Sequence, residues 1–273
     1  MRVSKFLSYL LLLGLALFLV APFVWMVLIS LREPKSPIPP ISQIWPDRFH
    51  WENYDFVLNH PTLPVGRFFF NSIVVTVSVV LSQLLVSSLA AYGFARVKFR
   101  GREPLFALFL GSMMFAGPVT QIPVFLFLKN LGWLDTYAAL IVPGMSSAFS
   151  VFLLRQFFMQ IPFELDEAAR IDGAGDFRIY WRVIMPLSKA ALATSAAFSF
   201  FGVWTDFFNP LIFTNTTEMR TLEVGLSIFK NSYGGTNWPL QMTAAVIVMT
   251  PLLVVFLLSQ RYFTKGITLG SIK

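Results

Sequence analysis

The stretch Glu164-Leu165-Asp166-Glu167-Ala168-Ala169-Arg170-Ile171-Asp172-Gly173 lies between two long apolar segments of a 273-residue chain. Most of its residues favour a helix, and Pro186 follows its terminal glycine by thirteen positions. Acidic side chains at the start of a helix face the positive end of the helix dipole. A glycine just past the end supplies the left-handed conformation that ends many helices. The stretch therefore predicts a short polar helix on the surface of a mostly apolar chain.

The rest of the chain has the composition of a membrane protein. It is 56% hydrophobic and 13% charged, whereas soluble domains carry roughly 25% charged residues. There is no cysteine, which excludes disulfides and thiolate sites. A membrane-spanning helix needs about 20 apolar residues, and six segments qualify: 6–29, 69–95, 104–128, 136–158, 190–213 and 243–262. The sequence predicts an all-α integral membrane protein with six transmembrane helices in a single domain, residues 1–273, whose polar loop covers residues 160–189.

The basic residues indicate how the spans are oriented. With both termini on one side, that side holds 14 of the 21 lysines and arginines. Because positive residues accumulate on the cytoplasmic side, both termini and the 160–189 loop are expected in the cytoplasm. The first apolar run covers residues 6–31, which is longer than the 7–15 residues of a cleaved signal segment, so we expect an uncleaved anchor. The basic residues flank loops and line no groove, so nucleic acid is not an expected partner and anionic lipid is.

A second helix is predicted in the polar loop from Asp176. Phe177, Tyr180, Trp181 and Ile184 follow the spacing of one apolar helix face, and Pro186 would stop or kink the helix. One interpretation is an amphipathic helix lying on lipid headgroups. The alternative is a two-helix knob that docks into another protein, with the small side chains of Ala168 and Ala169 allowing close approach.

The loop resembles the E-A-A-x3-G-x9-I-x-L-P motif of ABC importer permeases. The matching residues are Glu167-Ala168-Ala169, Gly173 and Val183-Ile184-Met185-Pro186, with valine in place of isoleucine and methionine in place of leucine. Both changes exchange apolar side chains of similar volume, so packing should survive. The resemblance implies that the loop couples the permease to an ATPase through Glu167, Ala168, Ala169, Asp172, Gly173, Val183 and Pro186.

Further stretches are similar to the carbohydrate-type, MalG-like branch of these permeases. They are Asn71-Ser72, Leu89–Arg96 with Phe99-Arg100-Gly101, Trp204-Thr205-Asp206-Phe207-Phe208-Asn209-Pro210, and the tail from Lys265 to Lys273. The resemblance implies a MetI/MalG-like core in a bacterial or archaeal inner membrane. It also implies three protein partners: a second, MalF-like permease, an ATPase dimer and an extracytoplasmic solute-binding protein. The tail would contact the ATPase through Gly266, Gly270 and Ser271.

The chain lacks the G-x-x-x-x-G-K-[ST] phosphate loop. ATP and magnesium are therefore expected on the partner ATPase. This chain is expected to bind no cofactor and not to be an enzyme. An intramembrane enzyme is disfavoured because the only histidines, His50 and His60, lie in one external loop and no H-E-x-x-H or G-x-S-x-G occurs. Accordingly, no catalytic or metal-binding residue is predicted. A secondary transporter would need more buried ionisable residues and inverted repeats. A non-sugar solute remains open.

Asp206 is the one ionisable residue well inside a predicted span, where a carboxylate costs roughly 2.5–3.5 kcal/mol. It should therefore face protein or water. One interpretation places Trp204, Asp206 and Asn209 on the solute path, with Gln121 in the proline-broken third span. The other makes Asp206 a cap for a helix break at Asn209-Pro210.

The external segment 231–241 offers two interpretations as well. Its Tyr233, Gly234 and Trp238 are candidates for contact with a binding protein, as the resemblance implies. A loop anchored at the membrane interface by Trp238 is the alternative.

Overall fold

The computed structural model describes residues 2–40, 43–115, 117–232 and 237–269, and all regular structure within these ranges is helical. The α-helices are α1 (Arg2–Ser30), α2 (Glu52–Leu58), α3 (Val65–Arg96), α4 (Arg102–Gly111), α5 (Gly117–Asn130), α6 (Tyr137–Ile141), α7 (Ala148–Gln160), α8 (Glu164–Ile171), α9 (Asp176–Ile179), α10 (Met185–Leu187), α11 (Lys189–Trp204), α12 (Phe208–Phe213), α13 (Leu222–Ser232) and α14 (Trp238–Leu269). Short 3-10 turns cover Ser112–Met114, Val142–Gly144 and Thr217–Met219, and Tyr180–Ile184 form a π-helical turn.

Among the described residues, four segments are long and apolar enough to cross a membrane: Phe6–Ser30, Val65–Arg96, Tyr137–Gln160 and Trp238–Gln260. Two bent helix pairs raise the number to as many as six if each pair makes one span. The first pair joins Arg102–Met114 to Val119–Asn130 at 100°, and the second joins Asp176–Leu187 to Lys189–Trp204 at 80°.

The third predicted span, 104–128, is therefore not one continuous helix. The chain leaves the helical conformation at Phe115, whose ψ is 125°, and α5 begins at Gly117. Pro118 follows, and a proline is accepted in the first turn of a helix but cannot continue a preceding one.

The fifth predicted span, 190–213, is interrupted too. Helix α11 ends at Trp204 and α12 begins at Phe208. Pro210 has no N–H to bond the carbonyl four residues earlier, so the helix cannot run through this point without losing a bond. The break brings Asp206 into the gap between the two helices.

The chain forms two compact units, Met1–Arg67 with Gly225–Pro251, and Phe68–Val224 with Leu252–Lys273. In the first unit, the end of α1 is held by side chains. Asn53 donates from Nδ2 to the carbonyls of Ser30 and Arg32, at 2.8 Å each, and Thr243 Oγ1 donates to the Ser30 carbonyl at 3.1 Å. These donors serve carbonyls that the end of a helix leaves unpaired.

The second unit contains both candidate sites. One apolar cluster packs the end of α3 against α7 and the 160–189 loop, with Ala91, Leu154, Phe158, Ile179, Tyr180 and Ile184 fully buried. Another packs the middle of α3 against α5, α6 and α12 through Val75, Val79, Leu128, Ala139, Leu140 and Phe213. Helix α3 thus runs from one cluster to the other.

Candidate functional site

The first helix of the polar loop forms as the sequence predicts. Helix α8 begins at Glu164 with three acidic residues in its first turn, and Gly173 follows its end with φ +76°. That left-handed conformation is the one predicted for Gly173, and only glycine adopts it without strain. The tight turn then allows α9 to begin at Asp176, also as predicted.

The second helix buries a different face from the predicted one. Tyr180 and Ile184 are buried, but Phe177 is 73% exposed and Trp181 is 56% exposed. The π-helical turn Tyr180–Ile184 alters the spacing after Tyr180, because the N–H of Met185 bonds the Tyr180 carbonyl five residues earlier. Tyr180 is held inside by a 2.7 Å hydrogen bond between its hydroxyl and Ser88 Oγ on α3. The prediction of one face formed by Phe177, Tyr180, Trp181 and Ile184 is therefore wrong for Phe177 and Trp181.

Most of the predicted coupling residues are accessible. Glu167, Ala168, Asp172, Gly173 and Pro186 are exposed. Ala169 and Val183 are half-buried and pack against the apolar cluster around Tyr180, so they hold the loop in place more than they present a surface. Ile171, which the motif does not include, is 87% exposed. The loop therefore presents both a small side chain and large apolar ones to its surroundings.

Arg96, the last residue of α3, fastens the loop to the helices. Its side chain is fully buried, and Nη2 donates to the carbonyls of Phe158 and Ile161 at the end of α7. Nη1 lies 3.5 Å from Asp166 Oδ2 on α8, and the guanidinium lies 4.4 Å from the ring centre of Phe163. One cation thus serves the negative end of α7 and the first turn of α8.

The Asp166 carboxylate is a weak partner for this cation. Its Oδ1 has no hydrogen-bond partner among the described residues, and 3.5 Å is an ion-pair distance, longer than a good charge-assisted hydrogen bond. Burial raises the pKa of Asp166, although Arg96 and Arg170 pull it down. The carbonyls of α7 are therefore the stronger attachment of Arg96.

A second arginine braces the neighbouring turn. Arg155 on α7 donates from Nε to the Phe94 carbonyl at 3.1 Å, and from Nη2 to both carboxylate oxygens of Glu103, at 2.9 and 3.0 Å. Its guanidinium lies 4.0 Å from the ring centre of Phe106. Arg96 thus connects the end of α3 with the end of α7. Arg155 connects α7 with the end of α3 and with the start of α4.

A cavity of about 460 Å³ lies in the same unit, among α3, α5, α7, α11 and α12. Its wall is rich in hydroxyls: Ser72, Thr76, Thr120, Ser146, Ser147, Ser150, Ser199 and Thr221. The amides of Gln83, Gln121 and Asn209 and the carboxylate of Asp206 also line it. Phe149 and Phe198 add an edge-to-face ring pair with centroids 5.4 Å apart. Its volume and polar lining suit a small polyhydroxylated molecule.

Three of the four predicted solute-path residues meet in this cavity. Asp206, Asn209 and Gln121 line it, although Gln121 is about 85 positions from the other two along the chain. Trp204 is not among the lining residues: it is 4% exposed, and its ring stacks on Phe200 at 5.5 Å.

The structure shows Asp206 as a helix cap and places it on the cavity wall, while its role on the solute path stays a prediction. Its Oδ1 accepts a hydrogen bond from the backbone N–H of Asn209 at 3.2 Å, and its Oδ2 accepts one from Asn209 Nδ2 at 2.7 Å. The carboxylate therefore caps the first turn of α12. It also lines the cavity, because the break that it caps opens there.

Asn71 and Ser72 hold the cavity wall from α3. Asn71 is fully buried; it donates to the carbonyls of Glu218 and Arg220 at 2.7 and 2.9 Å, and it accepts from the Tyr137 hydroxyl at 2.6 Å. Ser72 Oγ accepts the N–H of Leu222 at 2.8 Å. Sequence similarity singled out this pair, and the structure assigns it a bracing role.

Comparison with known proteins agrees with this architecture. Residues 1–269 match the family described as "binding-protein-dependent transport system inner membrane component". The chain belongs to this family. It is therefore a multi-pass permease subunit of an ABC importer in the inner membrane.

Individual relatives span nearly the whole chain. The trehalose/maltose transport system permease protein MalG of Thermococcus litoralis is 35% identical over 261 residues, covering 95% of this chain and 93% of that protein. The sn-glycerol-3-phosphate transport system permease protein UgpE of Yersinia enterocolitica is 34% identical over 267 residues, covering 96% and 95%. The crystal structure of a bacterial ABC transporter that imports the acidic polysaccharide alginate matches with a TM-score of 0.80 and 26% identity, over 96% of this chain and 97% of that one.

A second solved structure shares the fold alone. It is the bacterial alginate ABC transporter in complex with an alginate pentasaccharide-bound periplasmic protein, with a TM-score of 0.64 and 15% identity. The MetI/MalG-like permease fold is thus common to this chain and both solved structures.

Several residues predicted to contact the binding protein or the ATPase lie outside the described residues or near the ends of the described ranges. Tyr233 and Gly234, candidates for the binding protein, lie outside the described residues, as do Gly270 and Ser271 of the tail. Trp238 begins α14 and is half-buried. Gly266 belongs to the last turns of α14.

The sequence predicts no site role for four residues that the structure places at these sites. Arg96 and Asp166 are 70 positions apart, and no local pattern connects them. Ser199 and Thr221 are buried hydroxyls of the cavity wall. A serine in an apolar segment is common in membrane helices, so neither hydroxyl carried a signal of its own.

Proposed function

We propose that this chain forms one half of the translocation pore for a sugar or sugar-like solute, delivered by an extracytoplasmic binding protein. The observation that carries the proposal is the hydroxyl- and amide-lined cavity of about 460 Å³ beside an aromatic pair. Sugars have apolar ring faces and hydroxyl edges, so they match aromatic side chains beside hydrogen-bonding groups. A carbohydrate solute is supported by the similarity to the trehalose/maltose permease MalG and to the alginate importer.

The second part of the proposal concerns energy coupling. A partner ATPase dimer binds ATP and magnesium and docks on the 162–186 loop, while a second, MalF-like permease completes the pore. The exposed Glu167 and Ala168 and the exposed apolar side chains of Ile171, Phe177 and Trp181 support docking, since apolar groups of that size favour a partner or lipid over water. The tail around Gly266, Gly270 and Ser271 is proposed as a further contact with the ATPase.

Uptake into proteoliposomes tests the transport role. The complete importer, with the second permease, the ATPases and the binding protein, should accumulate a radiolabelled sugar only when ATP is enclosed with the ATPases. The double variant Glu167→Ala, Gly173→Asp should reach the membrane at normal levels and lose this uptake. Normal ATP-driven uptake by that variant would overturn the coupling role of the loop.

Crosslinking tests docking directly, and the chain offers a clean background because it contains no cysteine. Ala168→Cys should form a crosslink to the ATPase subunit in native membranes with a short bifunctional reagent. Lys98→Cys is the matched control, since Lys98 is an exposed residue of the neighbouring 97–101 turn. A crosslink to lipid alone, or equal capture at both positions, would favour the headgroup interpretation of the loop.

A further inference from the structure

The described side chains that line the cavity include a negatively charged group but no positively charged one. Asp206 is the only ionisable side chain among the described residues that line it, and no lysine, arginine or histidine belongs to that lining. Gln83, the longest polar side chain on the α3 side, is neutral and donates to Ser150 Oγ at 2.9 Å. An anionic group that entered the cavity would therefore meet a carboxylate and find no counter-charge on this chain.

The Asp206 carboxylate can accept further hydrogen bonds, beyond those from Asn209, from a solute. Both of its oxygens accept a hydrogen bond from Asn209. Two carboxylate oxygens offer about four acceptor positions, so about two remain for hydroxyl groups that point into the cavity. Sugar hydroxyls can donate to them, whereas a phosphate or carboxylate is an acceptor and cannot.

We propose that the imported solute is an uncharged polyol or saccharide, and that Asp206 is the residue that discriminates against anionic solutes on this side of the pore. The inference rests on the proposed transport of sugar-like solutes and narrows it. Two similar proteins are named for the transport of anionic solutes, which are glycerol phosphate and the acidic polysaccharide alginate. The trehalose and maltose named for the MalG relative are neutral.

The test separates this chain from the binding protein, which also selects solutes. The membrane complex of both permeases and the ATPases, without binding protein, is placed in nanodiscs. Equilibrium binding is then measured for matched pairs: glucose and glucose 6-phosphate, trehalose and trehalose 6-phosphate, maltose and its carboxylate derivative maltobionate. Wild type should bind at least one neutral sugar, and roughly tenfold or more tightly than its charged partner, a margin typical of one unfavourable charge contact.

Variants of Asp206 decide the residue's role. Asp206→Asn should reduce the ratio to less than about threefold, because it removes the negative charge that repels the anion. The Asn209 amide can turn to pair with the new side chain, so the cap of α12 should be kept. Asp206→Glu should keep the wild-type ratio, and so should Asp47→Asn, which removes an exposed carboxylate outside the cavity. An anion bound as tightly as its neutral partner by wild type would overturn the inference, as would an unchanged ratio in Asp206→Asn.

Failure of the broader proposal looks different. If the complete importer takes up none of the six compounds in proteoliposomes and the membrane complex binds none, the assignment of a sugar-like solute fails with the charge inference. If neutral sugars are taken up and the binding ratio is unaffected by Asp206→Asn, only the role of Asp206 fails.

Discussion

Replacing Arg96 should destabilise the permease far more than replacing its acidic neighbour Asp166. Arg96→Met removes two hydrogen bonds from a buried guanidinium to the carbonyls of Phe158 and Ile161. Hydrogen bonds of a charged group are worth about 1.5–3 kcal/mol each, so we expect a loss of about 4 kcal/mol in the free energy of unfolding. Asp166→Asn removes a carboxylate whose burial outweighs the attraction of Arg96, and Arg96 keeps its two carbonyl partners, so we expect a change within about 1 kcal/mol.

The pH dependence provides a second measure of the same balance. The pKa of Asp166 is higher in the folded protein than in the unfolded chain, so the folded state binds the proton more tightly. Asp166 thus contributes stability that is fully present below the ordinary aspartate pKa of about 3.9 and is lost as the pH rises through the raised value. Wild type should lose this stability on going from acid to neutral pH, and Asp166→Asn should not.

The assay is reversible unfolding of the purified complex in mild detergent at several pH values, with uptake measured on the same preparations. Arg96→Lys is the matched control, because it keeps the charge but cannot hold two carbonyls with one planar group; it should fall between wild type and Arg96→Met. Equal losses of several kcal/mol for Arg96→Met and Asp166→Asn would refute the reasoning. That result would mean that the ion pair, not the carbonyls of α7, holds the loop.

Three further substitutions test local features. Gly173→Ala should cost about 1–2 kcal/mol, because its left-handed backbone strains any residue with a Cβ, and Gly173→Asn should cost less; thermal unfolding and uptake of the two variants should follow that order. Gly144→Ala places a Cβ 2.9 Å from Val79 Cγ1 and should cost about 1–3 kcal/mol, and adding Val79→Ala should restore thermal stability if this contact is the cause. Asn71→Ala leaves the partners of three partly buried hydrogen bonds unpaired and should lower the free energy of unfolding by about 3 kcal/mol, whereas retention of the wild-type melting temperature would show that water replaces these bonds.

The parts of the fold that the sequence predicts are those that depend on local signals. The end of α8 at Gly173 and the start of α9 at Asp176 follow from glycine, acidic residues and spacing within one turn. The prolines near 118 and 210 indicate breaks, but their consequence depends on how the following helix packs. The 100° bend before α5 is therefore visible only in three dimensions.

The failures arise where distant contacts override the local pattern. Spacing alone places Phe177 on the same face as Tyr180, yet Tyr180 is buried with its hydroxyl bonded to Ser88 while Phe177 is exposed. The candidate site shows the same division. Asp206 is conspicuous as a carboxylate in an apolar segment, whereas Ser199 and Thr221 gain meaning only from the cavity that surrounds them.

Two continuous helices connect the polar loop to the cavity within one compact unit. Helix α11 begins at Lys189, directly after the loop, and ends at Trp204, two residues before Asp206. Its 16 residues span about 24 Å at 1.5 Å each. Helix α3 runs beside the cavity at Thr76 and Gln83 and ends at Arg96, the residue that holds the loop. A helix bends less along its length than the chain does at the breaks between helices. A displacement of the loop would therefore move whole helices, and with them the cavity wall. The 80° bend at Ser188 and the break at Asp206 are the points where such movement can be taken up. On the proposed solute path, a substitution of Asp206 would therefore change both solute binding and the response of the cavity wall to the loop.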